Sequence, residues 1–323
     1  MLIGAHTHRR IAIHPLLGSQ TVALPCIAGK SSHNRFGDHM NYSIHPASHL
    51  STIELACADQ ERMLRFYREF VGLREIRRDG DGVHLGANRK QTLVILTPAK
   101  SPVVPSRFSS LYHFAFLVPT RYELARSLHH LLEMRYTLQG AFDHQITESI
   151  YVVDPEGNGV EIYADRPQSE WPYNNGQLQI AADELDLDFL LAELGTGKIT
   201  WTGLSPKARI GHLHLQVPGL EEGKRFYHEI LGFDLMLQDG GGTIYLSAGG
   251  YHQHIGLNTW QIASSPPTTG SPGLRSFTIC LPEQQEIERL TERLKQYKVT
   301  YKQSASQLRF FDPFDIRIRV TLC

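Results

Sequence analysis

The sequence predicts an α+β fold made of four repeated units, and three observations carry that reading. FYREFVGL begins at Phe66, and 160 positions later FYHEILGF begins at Phe226. A second echo pairs FAFLVP (Phe114 to Pro119) with FTICLP (Phe277 to Pro282). Around each echo the pattern runs from an alternating strand to a helical stretch and on to several more strands. Such self-similarity at a fixed spacing marks an ancient duplication.

The elements follow in order. Residues 1–45 form an atypical N-terminal extension without recognisable pattern. HTHRR, Pro15, Pro25 and SSHNRFGDH give it no apolar core, so it reads as a poorly ordered tail and not as a secretory signal. Its histidines (His6, His8, His14, His33, His39) read as tail residues, and Met40 is a candidate start, since pattern begins soon after it. Unit one has the strand LSTIELAC, a helix over 59–70, turn signals at Gly72 and DGDG (Asp79 to Gly82), and the strand TLVILTP. Unit two has YHFAFLVP, a helix over 121–134, and SIYVVDPEGNGVEIYA. There DPEGNG supplies the proline and the glycine and asparagine that a tight turn needs. Unit three has GHLHLQV, a helix over 221–231, and strands at TIYLSAGG and YHQHIGL. Unit four has SFTICLP, a helix over 284–297 and LRFFDPFDIRIRV. The domains expected are 46–166 and 208–323, each a pair of units, joined by a 167–207 connector. In the connector, ADELDLDFLLAEL reads as an acidic amphipathic helix.

Composition narrows the function classes. Apolar residues make up 41% and charged residues 20%, as in a globular protein. The balance of 32 basic and 33 acidic residues gives no electrostatic case for nucleic acid or a membrane surface, so partners are small molecules or further copies of the chain. No apolar run approaches the roughly 20 residues needed to span a bilayer. Cys26, Cys57, Cys280 and Cys323 lack CxxC spacing and read as reduced, mostly buried thiols, which points to the cytoplasm.

Aligning the echoes shows which polar groups survive in only one copy. His113 faces Ser276, Glu161 faces Arg317, Tyr151 faces Arg309, and His212 faces Thr52. A lone strand histidine is usually packing. Glu161, however, sits between Val160 and Ile162 on an otherwise apolar strand, and alternation sends its carboxylate alone to one face. Unpaired there, it would be costly. Two histidines and a glutamate retained together therefore suggest a three-ligand metal site with open positions. Geometry alone leaves His212 and His214 as equal choices on one strand face, and His252 and His254 likewise.

These units resemble the βαβββ modules of the vicinal oxygen chelate superfamily, which includes glyoxalase I, bleomycin-binding proteins and type I extradiol dioxygenases. The resemblance runs from about Leu50 to the C-terminus. It rests on FYREFVGL, FYHEILGF, YVVDPEGNGVEIYADRP, GHLHLQV and GGYHQHIGLNTW, which together look most like the two-domain bacterial catechol 2,3-dioxygenases. It implies two barrel-like domains and a non-haem Fe(II), with Mn(II) as the alternative, held by His113, His212 and Glu161. It also implies ring cleavage of catechol or a substituted catechol by dioxygen. His254 takes the place of the acid/base histidine, with His252 structural or at the rim. Tyr151, ten residues before Glu161, takes that of the substrate-contacting tyrosine, and His144 that of a second active-site histidine. The alternatives on this fold are a glyoxalase-like lyase or isomerase and a metal-free binding protein.

One departure from the family sets an architectural expectation. Here the ligands come from units two and three, across the connector. Pairing one with two and three with four would split the site into halves, so units two and three are expected to share the metal-bearing barrel and units one and four a degenerate one. An exchange of units within a homo-oligomer is the other way to reunite them.

Overall fold

The computed structural model describes residues 42–101, 111–175, 177–238, 240–260, 270–304 and 307–323. Cys26 and the five N-terminal histidines named above lie outside the described residues. Module one comprises β1 (His49–Cys57), α1 (Gln60–Arg65), β2 (Arg74–Asp79), β3 (Gly82–Gly86) and β4 (Val94–Pro98). Module two comprises β5 (Leu111–Val118), α2 (Arg121–Glu133), β6 (Gly140–Asp143), β7 (Thr147–Val153) and β8 (Gly159–Asp165). The connector carries the short strands β9 (Tyr173–Asn174), β10 (Gln177–Leu178) and β11 (Asp183–Glu184), then α3 (Leu187–Ala192). Module three has β12 (Arg209–Gln216), α4 (Leu220–Lys224), β13 (Asp234–Gln238), β14 (Thr243–Ser247) and β15 (Ile255–Asn258). Module four has β16 (Gly273–Leu281), α5 (Gln284–Gln296), β17 (Tyr301–Ser304), β18 (Gln307–Phe311) and β19 (Arg317–Leu322).

Local chemistry accounts for the helices. The Asp59 carboxylate accepts the Arg62 N–H at 3.0 Å and starts α1, and the Thr120 hydroxyl accepts the Glu123 N–H at 3.3 Å to start α2. The two FY echoes are alike in structure as well as in sequence. Each ends its helix in a wider π turn, Phe66–Phe70 and Arg225–Ile230, closed by Val71 N–H to Phe66 O and Leu231 N–H to Phe226 O.

The strands assemble by exchanging modules. One sheet runs β17-β18-β19-β16-β1-β4-β3-β2 and the other β11-β6-β7-β8-β5-β12-β15-β14-β13. Module one is thus joined to module four through antiparallel β1 and β16, and module two to module three through antiparallel β5 and β12. Neither sheet coincides with the contiguous stretches 46–166 and 208–323; each takes one module from each. One apolar core runs through both sheets and includes Leu55, Tyr67, Phe114, Phe116, Leu213, Tyr227, Phe277 and Ile318. Within it Tyr67 of module one donates its hydroxyl to Asp154 of module two at 2.9 Å. Tyr227 of module three does the same to Asp312 of module four at 2.7 Å.

Two expectations need correction. The acidic connector stretch is not one helix. Asp183 and Glu184 pair with β6 at the sheet edge, and the Asp186 carboxylate accepts the Phe189 N–H at 2.9 Å, so α3 starts only at Leu187. The partner of Glu161 in the duplicated module is Arg319, not Arg317. Asp154 accepts the Asn158 N–H and Asp312 the Ile316 N–H, which makes the two turns equivalent and sets Glu161 against Arg319. Cross-strand register agrees, since Tyr151 pairs with Glu161 and Arg309 with Arg319.

Candidate metal centre

Strand alternation divides β5 between two environments. Phe114, Phe116 and Val118 enter the main core, whereas Ala115 and Leu117 join Tyr163 in a separate small cluster on the opposite face. That second face carries the polar groups. Across it one row of residues runs over neighbouring strands: Tyr151 pairs with Glu161, Glu161 with Ala115, and Ala115 with His212. His254 ends the row, its carbonyl accepting the Leu213 N–H at 3.1 Å. His113 and His214 form a cross-strand pair in the next row on the same face.

His212 reaches this row through a β-bulge. Ile210 pairs with Phe116 and His212 with Ala115, so Gly211 is the extra residue. A Cβ on Gly211 would lie 1.9 Å from the Tyr163 hydroxyl, so no larger residue fits as the strand stands. β1 has the same bulge, between Leu50 and Thr52, and it sets Thr52 at the place of His212.

His113, Glu161 and His212 converge. His212 Nε2 lies 2.9 Å and His113 Nε2 3.2 Å from the same Glu161 oxygen, and the two nitrogens are 3.1 Å apart. Three ligands at right angles around a metal at about 2.1 Å would be about 3.0 Å apart, against about 3.4 Å for a tetrahedral set. The triangle matches the right-angled set and leaves the remaining directions open. Glu161 is only 2% exposed. Burial by itself would raise its carboxyl, but the charge and hydrogen bonds of His212 and His113 outweigh that and hold it well below the usual range. Burial also lowers His113, which favours the neutral imidazole that a metal needs. His212 Nδ1 is buried without a hydrogen-bond partner among the described residues.

The other expected site residues fall on either side of this triangle. His144 Nδ1 lies 2.6 Å from the Ala181 carbonyl, which can only accept. That assigns the proton to Nδ1 and leaves Nε2 to accept the Tyr151 hydroxyl at 3.0 Å. Burial pushes Tyr151 well above its ordinary value, and the Glu161 charge adds to the shift. His254 Nδ1 accepts the Ala248 N–H at 3.2 Å and lies 2.8 Å from the Ser247 hydroxyl, so its proton is on Nε2. Burial, followed by Arg209 and neighbouring histidines, pushes His254 down to about 3. A cleft of about 390 Å³ lined by His49, Arg209, Tyr251 and His254 opens beside it.

Sequence reasoning placed His252 and His254 on one strand face. Both in fact precede β15, and they have different partners, His252 Nε2 lying 3.0 Å from Asp165. His214 stands outside the triangle, 3.0 Å from Asn258 Nδ2. Asp165, Tyr163 and Tyr251 were not anticipated. Tyr163 and Tyr251 share a 2.6 Å hydroxyl contact, Tyr251 donates to Asp165 at 3.1 Å, and the Tyr163 ring centroid is 5.0 Å from that of His212. For Tyr163 and Asp165 the signal was YAD, directly after Glu161 and Ile162.

Comparison with known proteins agrees with this architecture. A family model described as the Glyoxalase/Bleomycin resistance protein/Dioxygenase superfamily matches residues 49–162 and 209–320. A catechol-2,3-dioxygenase of Bacillus subtilis (strain 168) is 38% identical over 276 residues, which are 84% of this chain and 96% of that protein. Two solved structures share the fold. Glyoxalase I from Zea mays has a TM-score of 0.52 at 14% identity, over 85% of this chain and 92% of that one. The cppA protein from Streptococcus pneumoniae TIGR4 has a TM-score of 0.53 at 13% identity, over 85% and 99% respectively. With both repeats matched and a close relative aligned along most of its length, the chain belongs to the glyoxalase/bleomycin resistance protein/dioxygenase superfamily.

Proposed function

We propose that the protein is an extradiol dioxygenase that cleaves catechol or a substituted catechol at a non-haem Fe(II), or Mn(II), held by His113, His212 and Glu161. The supporting observation is the triangle itself: two imidazoles and one carboxylate with 2.9–3.2 Å edges on one face of a sheet. The 38% identical relative named catechol-2,3-dioxygenase favours ring cleavage over the other reactions of the superfamily. Held by these three residues, such a metal would supply the site at which a diol and dioxygen could be brought together. Both oxygen atoms enter the product as one ring carbon–carbon bond breaks, so no external reductant is needed.

The protein groups supply proton handling. Tyr151 beside Glu161 is placed to accept a diol proton while passing its own to His144 Nε2, and half-buried His144 offers that proton a way out. His254 enters the reaction neutral, with Nε2–H as its free group. In this role it donates a hydrogen bond to an oxygen that gains negative charge and so steadies the step that breaks the ring.

The test is anaerobic loading with Fe(II) or Mn(II), followed by oxygen-electrode assays against a panel of catechols. Stoichiometric oxygen uptake with formation of a yellow ring-opened semialdehyde is expected. Metal binding without oxygen uptake on any catechol would overturn the proposal. His254→Ala is expected to keep its metal and lose roughly 10²-fold in rate, with Tyr151→Phe milder.

A further inference from the structure

The sheet formed by modules one and four does not reproduce the His/Glu/His triangle. At the corresponding positions it has Thr52, Ser276 and Arg319, while Glu54, at the place of His214, accepts the Ser276 hydroxyl at 2.7 Å and is paired to Arg319. Four residues beyond Ser276 on β16, however, a different donor set gathers. His49, Cys280 and Cys323 each bring a ligand atom within 4.8 Å of the others.

Register puts all three on one face. His49 on β1 pairs directly with Cys280 on β16, and Cys280 pairs with Thr321 on β19. Cys323 lies two residues beyond Thr321, hence on the same side, and its backbone N–H donates to Leu281 O at 3.0 Å. Cys280 is buried, Cys323 is exposed, and neither is in a disulfide. His49 Nδ1 lies 3.1 Å from the Ala47 carbonyl, so the proton is on Nδ1 and Nε2 keeps its lone pair. A backbone carbonyl holding one ring nitrogen is the usual support for an imidazole that ligates through the other. His49 also lines the cleft of about 390 Å³ beside His254.

We propose that His49, Cys280 and Cys323 form a second metal site, distinct from the His113/Glu161/His212 triangle, that binds a soft divalent ion of the Zn(II) type with solvent as fourth ligand. Two thiols and an imidazole select such an ion over the hard cations that prefer oxygen. Around tetrahedral zinc, thiolate sulfurs lie about 3.8 Å apart, a spacing compatible with three ligand atoms that all lie within 4.8 Å of one another. In the metal-free state burial pushes the Cys280 thiol up to about 12, and neighbouring Cys323 adds to the shift. A metal at this site would be held by the thiolate forms, so its binding is expected to weaken as pH falls.

The test uses the reduced, metal-free full chain titrated with Co(II) and then Zn(II). A thiolate-to-cobalt charge-transfer band is expected in the wild type and is expected to be released by Zn(II). The band is expected to persist in His113→Ala/His212→Ala, to vanish in Cys323→Ser, and to need at least tenfold more metal in His49→Ala. Cys323→Ser changes an exposed side chain, so loss of the band there does not reflect unfolding. No band in the reduced wild type, or a band undiminished in Cys323→Ser, overturns the proposal. Isolation of a Cys280–Cys323 disulfide whose reduction restores no band overturns it as well.

Discussion

Gly211→Ala probes the link between backbone and metal centre most directly. The added Cβ would meet the Tyr163 hydroxyl at 1.9 Å, its Cζ at 2.6 Å and its Cε1 at 2.7 Å. Ordinary contact begins near 3.4 Å, so something must move by about 1.5 Å. Tyr163 is fully buried and its hydroxyl is held 2.6 Å from that of Tyr251, so the bulge has to give way unless that contact breaks. Overpacking of this kind costs about 1–3 kcal/mol, with about 1 kcal/mol more if the Tyr163 contact is lost. The bulge also positions His212, so metal affinity is expected to fall by roughly 10–100-fold, the scale seen when support for a ligand is disturbed. Denaturant unfolding of the metal-free protein measures the first effect and metal titration the second. Gly197→Ala, where a Cβ meets nothing within 4 Å, is the control and is expected to stay within about 0.5 kcal/mol of wild type. If Gly211→Ala matches that control in both stability and metal binding, the bulge does not set the site.

Three further outcomes are expected. Glu161→Gln removes the anionic member of the triangle and is expected to weaken metal binding by more than the ~10–100-fold typical of a supporting partner, read by metal analysis after dialysis. His254→Gln tests a pH dependence. With His254 pushed down to about 3 in the folded chain, the unfolded chain binds its proton first, so stability present above pH 6.5 is lost on acidification toward pH 3 at about 1.4 kcal/mol per unit. Asp154 and Asp312, raised to about 6 by burial, act with the opposite sign but are common to both proteins, so the metal-free variant is expected to show the shallower decline in urea unfolding. Tyr67→Phe and Tyr227→Phe each remove a hydroxyl from a buried aspartate and are expected to cost about 1–3 kcal/mol in denaturant unfolding. The double variant is expected to be additive, because the two pairs share no partner.

The repeat was legible because the residues that carry it have the same structural task in both copies. FYREF and FYHEI each supply a tyrosine for a buried aspartate and a wide turn ending at Gly72 or Gly232. DPEGNG and DPFDI supply those aspartates. The sheet partnership of module two with module three was legible for another reason: the surviving polar groups made sense only on one face. The error that set Glu161 against Arg317 is a slip of two residues, and such a slip leaves every side chain on its own face, so alternation cannot reveal it. Only the hydrogen bonds of Asp154 and Asp312 fix the frame. The acidic connector misled because Asp183 and Glu184 belong to a sheet edge whose partner, β6, lies about forty residues earlier in the chain. Asp165, Tyr163 and Tyr251 are joined across more than eighty residues, and no local spacing encodes such a contact.

Module exchange also sets an order in which the molecule can be built. The sheet that holds the triangle joins consecutive modules, and every strand in it lies between Leu111 of β5 and Asn258 of β15. The other sheet needs β1 to meet β16, and the Ser276 to Glu54 contact spans 222 residues. Closing so long a loop carries a larger entropic cost, and contacts so distant in sequence form slowly. Until module four arrives, β1 presents an unpaired edge of largely apolar residues, the kind of surface that recruits other chains. The copy without the triangle is thus the late-closing half of the fold, and loss of its last module would leave an aggregation-prone edge beside an otherwise complete metal-site sheet.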